Sequence, residues 1–431
     1  MKVVIINTFE SSGGAAIAAN RLSKALNKSG IDAKMLVRDK QTEDSNATPF
    51  NRSFLLKLLS RFFFYFERFY ILIHNNFSKK NLFAVSIANT GNDISRSKLI
   101  KEADIIHLHW INQGFLSIKS IKKLVALNKP IIWTMHDQWP YTGICHYTGG
   151  CNKFLDTCLD CPMLKYPKKL DLSYKIFRKK EEIYKTKAFT FVGCSKWIAT
   201  EAEKSKLCHG AKIVSIPNPI DITVYNKAEK ENARKSLNLP VDKKLVLFGA
   251  CKVTDERKGF EYMKKACDIL YNRKLLPKED VTIVIFGGKS EEIESLLPYH
   301  IHNAGYIKDI RTMTNLYNAA DLFVIPSLED NLPNTIMESM ACGTPCVGFN
   351  TGGIPEMIDH LQNGYVAEYK NEDDLAKGIN WVLNEADYSA LSDNARKKVV
   401  ENYREDIVAE KYIGLYNSLL RNCLNFPQNH L

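Results

Sequence analysis

Residues 3–7 form a β-branched run. It passes through the polar turn Ser11-Ser12-Gly13-Gly14 into residues 15–28, whose apolar positions follow a helical spacing that ends at Gly30. Residues 33–37 are strand-like again. Strand, glycine turn, helix, strand is the order of a βαβ unit, and it predicts a parallel sheet. Ile105-Ile106-His107-Leu108, Ile131-Ile132-Trp133-Thr134 and Thr190-Phe191-Val192-Gly193 are short apolar runs of the kind buried parallel strands show. Ile216-Pro217-Asn218-Pro219-Ile220-Asp221 then breaks the alternation. Two prolines around an asparagine make a stiff connector, which places a domain boundary near residue 220. Beyond it the alternation resumes, with residues 244–249, 281–286, 322–326 and 345–349 as strands. The pattern predicts an α/β chain with two doubly wound, Rossmann-like domains. Residues 1–220 form the first, with a cysteine-rich insert at 136–165. Residues 221–395 form the second, and a helix within 396–431 packs back toward the first. Such sheets bind ligands at the carboxyl ends of their strands, and two that face each other hold the ligand in the cleft between them.

One stretch does not fit this alternation. Residues 54–77 read FLLKLLSRFFFYFERFYILIHNNF, with seven aromatics between Arg61 and Tyr70 and with Lys57, Arg61, Glu67 and Arg68 interrupting them. A charge at the bilayer centre costs about 3 kcal/mol, so this segment is not expected to span a membrane. It suits a helix lying in a headgroup layer, with a buried core helix or a lid over an acceptor groove as alternatives.

The 431 residues are 45% hydrophobic and 25% charged, which excludes disordered, collagenous and coiled-coil chains. The net charge of +11 is uneven: residues 1–220 hold 34 Lys and Arg against 17 Asp and Glu, and the remainder hold 25 against 31. A basic first half points to an anionic partner, either a membrane surface or nucleic acid, unless its lysines are merely solvated. The chain carries no helix-turn-helix, zinc-finger or RNA-binding signature, so no nucleic-acid partner is expected. Its apolar start breaks off at Asn7, Thr8 and Glu10 with no small-residue cleavage site, so a cytoplasmic location is expected, peripheral to the inner face of the membrane.

Gly13 and Gly14 between a strand and a helix let backbone amides approach an anion, though a paired glycine is often a plain turn. The most informative stretch is PSLEDNLPNTIMESMACGTPCVGFNTGGIPE at 326–356. Pro333-Asn334-Thr335 opens a helix, and Thr335-x-x-Glu338 reads as a capping box. A carboxylate beside helix-end amides also suits a nucleotide, with phosphate on the amides and ribose hydroxyls on the carboxylate.

These residues resemble the family 4 glycosyltransferases, retaining enzymes of the GT-B fold, of the type that builds bacterial polysaccharide and capsule. The resemblance rests on Pro326-Ser327, Asp330 and Glu338 with seven residues between, Gly343-Thr344-Pro345 and Gly352-Gly353-Ile354-Pro355-Glu356. It extends to Gly13-Gly14, His136-Asp137, the 216–221 connector, Lys258-Gly259 and Ala319-Ala320-Asp321. It implies a nucleoside-diphosphate sugar donor, UDP- or GDP-linked, and no catalytic metal. Glu338 would bind the ribose, with Asn334 and Thr335 beside it. Lys258 would neutralise the leaving diphosphate, His136 would touch the donor sugar, and Gly14 would approach the reacting centre. Three departures stand out. Asp330, the expected catalytic carboxylate near the donor sugar, occupies the usual place of Glu, Asn218-Pro219 that of Asn-Gly, and Gly249-Ala250 that of Gly-Arg, so that Arg257 or Lys252 would have to supply the arginine's charge.

Cys145-x5-Cys151-x6-Cys158-x2-Cys161 puts four of eleven cysteines in one short insert. In a reducing compartment clustered thiols suit a structural zinc, against four free cysteines or a labile disulfide. The expected function is retaining transfer of a hexose to a lipid-linked or oligosaccharide acceptor. The alternatives are a nucleotide-sugar 2-epimerase of the same fold and a non-catalytic protein that binds anionic polymers.

Overall fold

The structure is a computed structural model that describes residues 1–425. The chain divides into two compact units. One is Met1–Pro219 together with the last helix from Val408 on, and the other is Ile220–Ile407. The sequence reads a polar tail after Arg421; residues 422–425 instead continue the last helix, and the rest of that tail lies outside the described residues.

The first unit is a seven-stranded parallel sheet of β1 (Lys2–Phe9), β2 (Asp32–Asp39), β3 (Ala47–Pro49), β4 (Ile105–Leu108), β5 (Ile131–Met135), β6 (Phe189–Gly193) and β7 (Lys212–Ser215), in the order β3-β2-β1-β4-β5-β6-β7. Its central strands are buried along their whole length, as β4 and β5 show, because helices cover both faces. The final helix, Glu405–Asn425, sets Val408, Ala409, Tyr412 and Tyr416 into the core beside Val3, Ile5 and Leu22. The sequence reads residues 385–421 as one helical stretch. Two helices form instead, Tyr388–Asn402 and Glu405–Asn425, separated at Tyr403 and Arg404.

The second unit is a six-stranded parallel sheet of β8 (Lys244–Lys252), β9 (Val281–Gly288), β10 (His300–Gly305), β11 (Leu322–Ile325), β12 (Cys346–Phe349) and β13 (Gly364–Ala367), in the order β10-β9-β8-β11-β12-β13. Both sheets reverse winding direction once, between β1 and β4 in the first and between β8 and β11 in the second. At such a switch point the two flanking connections leave on opposite faces and open a crevice beyond the strand ends.

Candidate active site

In the second unit the loops that leave β8 and β11 meet at the switch point. After β8 a single 3-10 turn, Glu256–Lys258, is capped by Asp255, whose carboxylate accepts the Arg257 amide at 3.1 Å. Gly259 follows at φ +73°, in the left-handed region. A Cβ there would run into the carbonyl oxygen of Pro326, so only glycine lets the β8 loop close onto the end of β11.

That closure brings Arg257 and Lys258 to Asp330. Lys258 Nζ donates to Asp330 Oδ2 at 2.6 Å, and Arg257 Nη1 lies 3.6 Å from the same oxygen while donating to the Glu329 carbonyl at 2.7 Å. Ser327 Oγ adds a contact to that oxygen at 3.3 Å. Burial alone would raise the Asp330 carboxyl, but Lys258 and then Arg257 outweigh it and hold it below the usual range. Of the two residues expected to replace the family arginine, Arg257 joins this cluster, while Lys252 is exposed at the end of its strand. A third loop, after β12, completes the arrangement. Gly352 at φ +58° lets the chain pass the Asp330 carbonyl, which accepts the Gly353 amide at 3.1 Å.

Glu338 lies on the helix Asn334–Ala341 that follows the Asp330 loop. The capping box expected from Thr335 and Glu338 does not form. Pro333 is the N-cap, Asn334 and Thr335 are the first two helical residues, and Glu338 falls one turn further in. Because proline already fixes φ for helix entry, the helix starts two residues before the position a Thr335 cap requires. Glu338 is buried, and its Oε2 accepts the Tyr317 hydroxyl at 2.9 Å. Burial and the Glu338 charge push the Tyr317 phenol well up.

In the first unit Gly13 (φ 84°) is the N-cap of the helix Gly14–Lys28, at the carboxyl end of β1. His136 follows β5. Its Nε2 pairs with His109 Nδ1 at 2.8 Å, and its Nδ1 lies 3.5 Å from Cys194 Sγ. Burial pulls the His136 imidazole down to about 4, although Asp137 opposes the shift. Asp137 itself accepts from Trp110 Nε1 at 2.7 Å and from His146 Nδ1 at 2.6 Å. Sequence reasoning did not single out His109, Trp110 or Cys194. His109 and Trp110 lie just past β4, beside the switch point, and only the strand order makes that position informative.

Cys145, Cys151, Cys158 and Cys161 line one small cavity together with Thr142, Phe154, Met163 and Ser173. Burial raises the thiols of Cys145, Cys158 and Cys161, Cys158 to about 11. Among the described residues no three His, Cys, Asp or Glu side chains are gathered so as to hold a metal ion.

Two family models cover the chain in tandem, Glycosyltransferase Family 4 over residues 12–224 and Glycosyl transferases group 1 over residues 229–405. The chain belongs to the family 4 glycosyltransferases, and its two parallel-sheet units are those of the GT-B fold. It is 29% identical over 246 residues to an uncharacterized glycosyltransferase of Methanocaldococcus jannaschii, covering 53% of this chain and 60% of that one. It is 26% identical over 226 residues, 51% of this chain and 56% of the other, to the Campylobacter jejuni N,N'-diacetylbacillosaminyl-diphospho-undecaprenol alpha-1,3-N-acetylgalactosaminyltransferase. The chain thus matches little more than half the length of these relatives. Anabaena HepE, solved in complex with UDP and glucose, shares the fold at a TM-score of 0.63 and 15% identity, over 97% of this chain and 100% of that one.

Proposed function

We propose that the protein transfers a hexose, with retention at C1, from a UDP- or GDP-linked sugar to a lipid-linked or oligosaccharide acceptor in the synthesis of a cell-surface polysaccharide such as a capsule. The observation that carries this reading is the meeting of Arg257, Lys258 and Asp330 at the switch point of the second sheet, with Glu338 on the next helix. Two cations beside a strand-end crevice suit a diphosphate, and a buried carboxylate on the helix that follows the Asp330 loop suits ribose hydroxyls. The lipid-linked acceptor is supported by the name of the Campylobacter jejuni relative, and the nucleotide by the UDP bound to HepE.

Breaking the C1–O bond sends its electron pair to the β-phosphate oxygen and leaves oxocarbenium character on C1. Lys258 and Arg257 would stabilise the charge on the departing diphosphate. The acceptor oxygen bonds to C1 on the face the diphosphate leaves, and its proton passes to the departing phosphate oxygen. His136, held by His109, would contact the donor sugar, and the backbone at Gly13 and Gly14 would border the reacting centre. Work on such an acceptor would put the protein at the cytoplasmic face of a membrane.

The test has two parts. Nucleotide sugars screened by thermal shift identify the donor, because a ligand that binds only the folded state raises its stability. Lys258→Ala and Glu338→Ala should then lose most turnover while remaining folded, and near-wild-type activity in either would overturn the assignment. A 2-epimerase would convert the same donor without an acceptor, so acceptor-dependent release of nucleotide separates the two readings.

A further inference from the structure

The helix Phe54–His74 is built inside out. Its buried residues are Ser60, Glu67, Arg68 and Ile71, three of them polar. Ser60 Oγ bonds Asn51 Oδ1 at 3.0 Å. Glu67 Oε1 accepts the amides of Ile87 and Ala88, both at 2.8 Å, and its other oxygen lies 3.0 Å from Arg68. Arg68 in turn donates to the Val85 carbonyl at 2.9 Å. Rotating the helix to bury its apolar side would strand this buried pair, so the network fixes which face looks outward.

That outward face is the apolar one. Phe54, Leu55, Phe62, Tyr65 and Phe69 are each more than half exposed, and together they run as a stripe at helical spacing. Lys57 and Arg61 flank the stripe and are also exposed. The one acid of the helix, Glu67, is buried and paired, so the exposed side presents cations alone. Among the described residues no helix is long and apolar enough to cross a membrane. Aromatics on one face with basic residues at its edge are the pattern of a helix lying in the plane of a bilayer surface. The cations match anionic headgroups, whereas a second copy of the same face would meet like charge with like.

We propose that the Phe54–His74 helix docks the protein on a bilayer bearing anionic headgroups, its aromatic stripe entering the boundary of headgroups and acyl chains and Lys57 and Arg61 meeting lipid phosphates. The proposal does not depend on the transfer reaction, because binding is measured without any sugar.

The experiment is flotation of the full chain with vesicles of phosphatidylcholine alone or mixed with phosphatidylglycerol, at low and high salt. The protein should float with the anionic vesicles, less with the zwitterionic ones, and less as salt rises. Lys57→Glu with Arg61→Glu should weaken binding to anionic vesicles roughly thirtyfold or more, at about one surface cation's attraction per residue. Phe62→Ser with Phe69→Ser should abolish binding to either vesicle without lowering the unfolding temperature, since both rings are exposed. Failure to float with any vesicle, or flotation that neither variant pair changes, overturns the proposal. So does a dimer seen by light scattering that the Phe62→Ser, Phe69→Ser pair dissolves while vesicles bind nothing.

Discussion

Lys258 Nζ donates to Asp330 Oδ2 at 2.6 Å, so the lysine assigned to the diphosphate has a buried carboxylate as its counter-ion. The aspartate, one methylene shorter than the residue usual at this place in the family, reaches the lysine and holds it at the mouth of β8. In the proposed reaction Lys258 would act on the leaving group directly and Asp330 through Lys258.

Lys258→Ala should lower kcat/KM by two to three orders of magnitude, about 3 to 4 kcal/mol of barrier, the typical loss when a donor to developing charge is removed. Asp330→Asn keeps the shape and drops the charge. It should leave nucleotide affinity near or above that of the parent while turnover falls, as thermal shift and steady-state rates on the same samples would show. Loss of nucleotide binding in Asp330→Asn, with kcat intact, would contradict a positioning role.

Glu338 is assigned a different task, so its variant should fail differently. In Glu338→Gln the side-chain carbonyl can still accept from Tyr317, and the buried phenol keeps a partner. The lost charge weakens a ribose contact by about 1.5 to 3 kcal/mol, the worth of a hydrogen bond to an ionised group. The donor KM should rise roughly ten- to a hundredfold, with the larger share of the effect in KM rather than kcat. Tyr317→Phe should show a weaker form of the same shift.

Much of this arrangement was legible in the sequence because buried parallel strands announce themselves. The runs at 105–108 and 131–134 are mostly apolar, and β4 and β5, buried at every position, form there. The strands the pattern misses are edges. β3 has three residues, β7 and β10 are exposed or half-buried along their length, and β13, though mostly buried, is the four residues Gly364–Ala367 opening on a glycine, so no apolar run marks them. The site shows the same division. Asp330 and Glu338 stand out by their spacing, whereas His109 and Cys194 acquire meaning only when strand order brings β4, β5 and β6 side by side. The inverted helix was legible in composition but not in orientation. Which of its faces looks outward depends on the partners of Glu67 and Arg68, which are remote in sequence.

Gly352 offers a test of the loop that carries Asp330. At φ +58° any other residue is strained, and a Cβ there would overlap the Asp330 carbonyl oxygen. Gly352→Ala should cost about 2 kcal/mol or more in urea unfolding and should lower nucleotide-induced stabilisation as well. Gly13→Ala meets nothing within 4 Å of the added carbon, yet φ 84° with ψ 160° is a conformation essentially reserved for glycine, so the backbone alone should cost about 1 to 3 kcal/mol.

The four thiols of the insert make a prediction about reactivity. Burial raises Cys145, Cys158 and Cys161, so near neutral pH they are protonated and poor nucleophiles. Cys251 is exposed. Iodoacetamide followed by peptide mass mapping should label Cys251 first and these three only on unfolding. Equimolar zinc in the purified protein, lost in a Cys158→Ser, Cys161→Ser variant, would show instead that the four thiols close into a metal cage.

His107, His109 and His136 give the first unit an acid sensitivity whose direction follows from their burial. Burial lowers His107 from 6.5 to about 3 and His136 to about 4, and carries His109 well below its ordinary value. His107 is locked between Tyr416 and Thr134 at 2.8 and 2.7 Å, and His109 bonds to His136, so the neutral forms are the ones the fold accommodates. As pH falls from about 6.5 toward 4, the unfolded chain takes up protons that the folded chain does not, and stability drops through that window. Each histidine contributes a slope of roughly 1.4 kcal/mol per pH unit where its two states differ by a full proton. Unfolding free energy should therefore be greatest above about pH 6.5 and decline steadily below it, while the imidazole NMR shifts of these three residues stay flat between about pH 5.5 and 8. A stability curve level across that window, or titration of any of the three near neutrality, would mean that the His109–His136 pair is hydrated and charged in solution, and the role given to His136 would have to be rebuilt on an imidazolium.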